Sequence, residues 1–384
     1  MEAFTAKPSP QLVGGSGSLA ELPACVRKSG GKKVLLVTDQ GIVDAGHAGR
    51  ATTLLEDAGV ACTVYDRTKA NPAERDILAA AEFAREASPD CFVGLGGGSS
   101  MDTAKGCNFL LTNGGSMSDY KGYGHARTAL LPFIGVPTTA GTGSECQSYA
   151  VISRDHSHEK MACGDPSALA TFAILDPELT ASMPQQVAVL TALDALSHAL
   201  ETAVSTRRNS FSSAHSREGF LRIASAIEPV LKGEASTRER DSMLMGAAFA
   251  GLAIENSMLG AAHASANPLT ASCGLAHGHA VALMLPHVIG LNAEVPEARK
   301  TYEHYGALLS NCVGVEGGIR AWVKYLLNLA DLPSLAHCGV SRGLFSDLAE
   351  DATRQWTGQF NPRSMKSEDF AVLYESAFNE GAAE

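Results

Sequence analysis

The chain has 384 residues, of which 45% are hydrophobic and 18% charged, and a formal net charge of −11. That length exceeds one ordinary core and implies two domains, while the composition excludes a disordered chain. The acidic balance lacks the broad basic footprint that phosphate backbones need, so no nucleic-acid partner is expected.

Up to about residue 180, short β-rich runs alternate with helix-like stretches. VLLVTD at 34–39 reads as a strand, followed by an amphipathic stretch to about Ala58. ACTVYD at 61–66 is a second strand, and Asn71-Pro72 supplies an N-cap and a first-turn proline for a helix reaching about Ala87. CFVGL at 91–95 is a third, running into glycines and a further helix; 132–139, 150–154 and 172–177 supply more strands. Strand and helix in alternation imply a mostly parallel sheet. After Asp176-Pro177 the rhythm turns helical, with helices expected at 185–205, 210–232, 240–259, 277–291, 297–310, 317–329 and 342–354. The expected division is therefore an α/β domain over 1–180 and an all-helical domain over 181–384, with a ligand-binding cleft between them.

Nine scattered cysteines, an odd number without a C-x-x-C pair, argue against a disulfide framework or a zinc ribbon. They read as buried thiols in a reducing compartment. No basic-then-apolar leader is visible, and Asp194 and His198 interrupt the apolar stretch at 186–200 short of a membrane span. A cytoplasmic protein without a membrane partner is expected.

GGGSSMDTAK at 96–105 sits between a buried strand and a helix. Glycines let a diphosphate approach the backbone, and first-turn amides can bind its oxygens, with Ser99 or Ser100 capping the helix. A tight turn needing glycine is the plainer reading. The run is neither G-x-G-x-x-G nor a P-loop. A second loop, PTTAGTGSE at 137–145, offers hydroxyls to the same ligand. Asp39 suits an adenosine ribose and would repel a 2′-phosphate, and it equally suits a helix N-cap.

In the helical half, His198 follows Asp194 by four, so both lie on one helix face and can chelate one ion. His263, His277, His279 and His287 fall within 25 residues. One carboxylate with three imidazoles suits Fe(II) or Zn(II). Beside a nicotinamide, such an ion would act as a Lewis acid on the substrate oxygen during hydride transfer.

Taken in order, these motifs resemble the iron-containing (group III) alcohol dehydrogenase family across nearly the whole chain: Gly15-x-Gly17, Asp39, Asn71-Pro72, GGGSSMDTAK, PTTAGTGSE, Lys160, LDP at 175–177, DALSHALE at 194–201, and His263 to His277-Gly278. The resemblance implies the dehydroquinate synthase-like fold, with an α/β dinucleotide-binding domain and an all-α metal domain, assembled as homodimers or larger. It implies an NAD(H)-linked enzyme interconverting a small alcohol and its aldehyde or ketone. Metal ligation would fall to Asp194, His198, His263 and His277. Dinucleotide contacts would come from Asp39, Asn71, Gly97, Gly98, Ser99, Thr138, Thr139, Thr142 and Lys160, with Asp39 favouring NAD. The chain departs from the family at three places: Asn267 stands where a histidine is usual, Thr270 replaces a glycine, and Val281 an asparagine. Asn267 and His279 are then substrate-side candidates, His279 taking over a polar role lost at 267.

Two rivals share these motifs. A glycerol dehydrogenase-like or dehydroquinate synthase-like enzyme is one, though the lyase needs several Lys, Arg and Asn residues to grip its substrate and the helical half is comparatively poor in Lys around the ligands. A non-catalytic metal- or nucleotide-binding relative is the other, favoured only by Asn267.

Overall fold

The computed structural model describes residues 4–155 and 159–379. The chain divides into two units, Pro8–Met183 and Pro184–Glu384, the latter joined by Met1–Lys7. Lys7 shows why the first residues go with the second unit: its backbone N–H donates to Asn256 Oδ1 at 2.8 Å, and its ammonium meets the buried Glu255 carboxylate at 2.9 Å.

In the first unit the order is β1 (Gln11–Gly14), α1 (Leu22–Lys28), β2 (Lys33–Val37), α2 (Gln40–Asp44), α3 (His47–Asp57), β3 (Ala61–Tyr65), α4 (Glu74–Ala87), β4 (Cys91–Gly96) and α5 (Gly98–Asn113). Then follow β5 (Gly122–Tyr123), β6 (Phe133–Pro137), β7 (Tyr149–Ser153), β8 (Lys160–Gly164) and β9 (Phe172–Leu175). Six strands form one parallel sheet in the order β1-β9-β6-β4-β2-β3. Alternation along β2 sends Leu35 and Val37 into one core and Val34 and Leu36 into the other, so both faces are covered. That is why these strands read as continuous apolar runs. The run at 150–154 is not in this sheet; as β7 it pairs antiparallel with β8 in a separate three-stranded sheet.

Two local expectations are corrected. Asn71 is not the N-cap of α4: Ala73 is, and its N–H donates to Asp76 Oδ2 at 3.0 Å. Pro72 disfavours the right-handed region for the residue before it, and Asn71 takes a left-handed conformation at φ 51°. Nor does Ser99 or Ser100 cap α5; Gly97 holds the cap position, and both serines lie inside the first turn.

The second unit is helical: α6 (Gln185–Val204), α7 (Ser210–Leu231), α8 (Thr237–Ser257), α9 (Ala261–Cys273), α10 (His277–Asn292), α11 (Pro296–Val313), α12 (Gly318–Leu329), α13 (Phe345–Thr353) and α14 (Ser367–Asn379). The side chains of Asn209 and Ser236 cap α7 and α8. Helices α9 and α14 were not expected from sequence. Contrary to expectation, α6 is by length and composition apolar enough to cross a membrane. However, 83% of that window is buried, against α7, α8 and α10 among others, so α6 is the central core helix of this unit. All nine cysteines are free, but only five are buried: Cys62, Cys273 and Cys338 are half-buried, and Cys312 is exposed because α11 turns that face to solvent.

Candidate functional sites: a glycine cradle and a buried histidine cluster

The cradle begins where β4, buried throughout, ends at Gly96. Gly96 has φ 148°, and a Cβ there would fall 2.3 Å from Ser100 Oγ, so glycine is required. Gly97, extended and without a side chain, leaves the first turn of α5 uncapped by any side chain. Its amides and the helix dipole face outward for an anion.

The loop at 137–145 packs directly on this turn. A Cβ on Gly97 would meet Thr139 at 3.3 Å, and one on Gly98 would meet Thr142 Cγ2 at 2.8 Å. Thr138 N–H donates to the Gly96 carbonyl at 2.9 Å, fixing loop to strand. Asn71 N–H donates to Ser99 Oγ at 3.2 Å. Asp39 caps α2 through Ile42 N–H at 3.1 Å, and its other oxygen lies 3.5 Å from Ser100 Oγ. The N-cap reading of Asp39 thus holds, and the same carboxylate stands beside the cradle. The structure therefore brings Asp39, Asn71, Gly97, Gly98, Ser99, Thr138, Thr139 and Thr142 together, and the positive charge of Lys160 reaches Asp102 on α5. The close approach of Ser100, Thr139 and Thr142 accounts for the glycines, and the helix start without a side-chain cap is what fits a diphosphate.

Behind the cradle a buried polar cluster anchors the loop. Lys105 Nζ donates to the carbonyls of Ser144 (2.6 Å), Gln147 (2.8 Å) and Tyr149 (3.0 Å). Ser144 Oγ donates to Asp102 Oδ1 at 3.1 Å. Burial pushes the Asp102 carboxyl up to about 6, with Lys105 opposing. Burial likewise lifts Glu145 to about 7, against its own backbone N–H and Lys105.

The second site lies in the helical unit. Helix α6 presents Asp194 and His198 one turn apart, α9 presents His263, and α10 opens with His277. One ligand atom each from Asp194, His263 and His277 lie within 4.8 Å of one another. His198 joins them: its Nε2 is 3.5 Å from Asp194 Oδ1 and 3.1 Å from His263 Nε2, and the latter is 3.4 Å from Asp194 Oδ1. Atoms bound about 2.1 Å from one ion at tetrahedral angles stand roughly 3.4 Å apart, so this spacing fits a first-row divalent ion. Among the described residues, Asp194 Oδ1 is buried without a hydrogen-bond partner, which an ion would supply. Burial would raise the Asp194 carboxyl, but His198, His277 and His263 hold it well below the carboxylate range. Burial opposes charge on His263, yet Glu201 and Asp194 lift it to about 9.

Glu201 is the residue the sequence reading passed over. It is buried at 4% exposure, and its Oε2 faces His263 Nδ1 at 2.5 Å while its Oε1 accepts from Ala262 N–H at 2.7 Å. Its position seven after Asp194 and three after His198 puts all three on one helix face, a signal already present in DALSHALE. Asn267, one turn beyond His263 on α9, donates to Gln355 Oε1 at 3.0 Å. His279 Nε2 is held by the Pro333 carbonyl at 2.7 Å, so only Nδ1 remains for a polar role. His287 is buried further along α10.

Known proteins share this frame. Residues 9–177 match the family model for iron-containing alcohol dehydrogenase, and 188–378 match that for the C-terminal part of the same family. Alcohol dehydrogenase 4 of Saccharomyces cerevisiae is 32% identical over 369 residues, covering 95% of this chain and 96% of its own. The NAD-dependent methanol dehydrogenase of Bacillus methanolicus is 29% identical and covers 96% and 98%. A crystal structure of 1,3-propanediol oxidoreductase superposes with a TM-score of 0.92 at 26% identity, covering 98% of this chain and all of that one. The chain belongs to the iron-containing alcohol dehydrogenase family.

Proposed function

We propose that this NAD(H)-linked, metal-dependent oxidoreductase interconverts an alcohol and its aldehyde or ketone, with the metal held by Asp194, His198, His263 and His277. The observation that carries the assignment of ligands is that Nε2 of His198 and His263 lie 3.5 and 3.4 Å from the buried, unpartnered Asp194 Oδ1 and 3.1 Å from each other, with a ligand atom of His277 within 4.8 Å of those of Asp194 and His263. Bound there, the ion supplies a Lewis acid that polarises the substrate oxygen while hydride passes to or from the nicotinamide. Fe(II) is the ion proposed, and Zn(II) suits the same donors.

The chain's own residues do the rest. Asp194 supplies the charge that a divalent cation needs in a buried site, and three imidazoles supply neutral donors. The amides of the first turn of α5, with Gly97, Gly98 and Ser99, bind the cofactor diphosphate, and Thr138, Thr139 and Thr142 close over it. Asn71 and Lys160 flank this cradle. Asp39 accepts from the ribose hydroxyls and repels a 2′-phosphate, selecting NAD over NADP. Asn267 is assigned to the substrate side, one turn from the metal ligand His263; His279 has only Nδ1 for such a role. The relatives are named as dehydrogenases of methanol, choline, long-chain alcohols and 1,3-propanediol, so a primary alcohol is the substrate class proposed. A homodimer in the cytoplasm is proposed, the latter consistent with nine free cysteines.

Stripping the metal, reloading anaerobically with Fe(II) or Zn(II), and following NADH absorbance against short aldehydes tests this reading. Metal-restored oxidation of NADH, and weaker use of NADPH, is expected. A protein carrying one ion per chain that turns over none of them would overturn it.

A further inference from the structure

We infer that Glu201 is a positioning residue for the metal centre: its carboxylate holds His263 in the tautomer that can ligate an ion and ties that choice to the start of α9. The inference rests on the metal assignment above and extends it to a residue outside the ligand set. A neutral imidazole carries one proton, on Nδ1 or on Nε2, and only the bare nitrogen can bind a cation. For His263 the atom facing Asp194 and His198 is Nε2. The atom facing Glu201 is Nδ1. A carboxylate only accepts, so the contact at Oε2 requires Nδ1–H, and in the neutral ring that an ion selects this leaves the lone pair on Nε2. Hydrogen bonding to a carboxylate also makes the imidazole a stronger donor to the metal.

Glu201 has no freedom to choose otherwise. Its second oxygen accepts from Ala262 N–H, one of the orphan amides at the start of α9. That helix begins after Gly260 with no side-chain cap of its own. Asn361 Oδ1 takes the neighbouring amide, from Ala261, at 3.2 Å, and Asn361 is itself locked to Asn292 by a reciprocal pair of amide hydrogen bonds. Gly260 is the residue that lets both groups in: a Cβ there would stand 3.0 Å from Asn361 Oδ1 and 3.1 Å from Glu201 Oε1. Two side chains distant in sequence thus cap α9 and aim His263. The charges also match, since Asp194 and Glu201 together neutralise one divalent ion beside three neutral imidazoles.

Glu201→Gln is the sharpest test because it keeps the shape. Ala262 N–H claims the carboxamide oxygen, which turns the NH2 toward His263 Nδ1 and moves the imidazole proton to Nε2. Metal-stripped full-length protein is titrated with Co(II) in competition with a chelator, and the visible Co(II) spectrum is recorded. Wild type should bind one Co(II), and Glu201→Gln should bind it 10- to 100-fold more weakly with an altered spectrum. Glu201→Asp is the second variant. It keeps the charge but cannot reach both partners, and should lose several-fold in affinity while holding a spectrum closer to wild type. A variant that melts at lower temperature yet keeps wild-type Co(II) affinity and spectrum would show a purely structural role and overturn the inference alone. Wild type that takes up no ion would overturn the metal assignment and this inference together.

Discussion

A methyl group added at Gly98 tests the cradle directly. Built on the existing backbone, it would stand 2.8 Å from Thr142 Cγ2, 3.0 Å from Oγ1 and 3.2 Å from Cβ. Carbon atoms pack at about 3.5–4.0 Å, so the first turn of α5 and the loop at 137–145 must separate by roughly 1 Å. Overpacking of this kind costs about 1–3 kcal/mol. If the strain falls on the conformation that grips the diphosphate, NADH binding weakens by about 5- to 150-fold, at tenfold per ~1.4 kcal/mol. Helix propensity works the other way, since alanine exceeds glycine by about 1 kcal/mol. A loss is therefore attributable to the wedge and not to the helix. Thr142→Ala removes both close atoms, and the double variant should recover most of the affinity, apart from whatever the threonine hydroxyl itself contributes. Fluorescence titration with NADH reads the effect. Binding by Gly98→Ala within twofold of wild type would refute the coupling of this contact to dinucleotide binding.

Three further outcomes follow from the same geometry. Gly278→Ala places a Cβ 2.3 Å from the Leu190 carbonyl oxygen of α6. Backbone cannot swing aside, so a stability loss of roughly 2–3 kcal/mol and weaker metal uptake through the displaced His277 are expected in thermal melts and metal titration; an unchanged melt would refute this packing. Glu145 in the folded protein holds its proton up to about pH 7, whereas the unfolded chain releases it near the ordinary value of 4.5. The folded state thus binds more protons between those values, and this group's stabilisation, complete on the acid side, is lost as pH rises through 7. The swing is roughly 3 kcal/mol, and Glu145→Gln should abolish that slope in melts from pH 4.5 to 8; an identical slope would refute the burial argument. Asp39→Ala should lose the α2 cap, at about 1 kcal/mol, and narrow the preference for NADH over NADPH in steady-state assays. An unaltered cofactor ratio would leave Asp39 only its capping role.

Much of the architecture is written locally. The runs at 34–37 and 91–96 are apolar on both faces, which only a sheet covered on both sides accepts, so the parallel α/β layer was legible. Asp194 and His198 share a face by helix periodicity alone, and the glycine run announces a turn whatever its ligand. Tertiary structure decided the rest. Helix α9 contains Asn267, Pro268 and Thr270, poor helix formers, and has no local cap. It forms because Glu201 and Asn361, 61 and 100 residues from the amides they satisfy, complete its first turn. Strand β1 has only four residues and earns its place by pairing with β9, whose sequence lies far down the chain. Cys312 is exposed because of how α11 packs, which residue type does not encode. The bringing of His263 and His277 to within 4.8 Å of Asp194 likewise depends on how α9 and α10 meet α6. Periodicity fixes which residues share one element's face; only packing between elements, where burial and satisfied amides outweigh local propensity, fixes which faces meet.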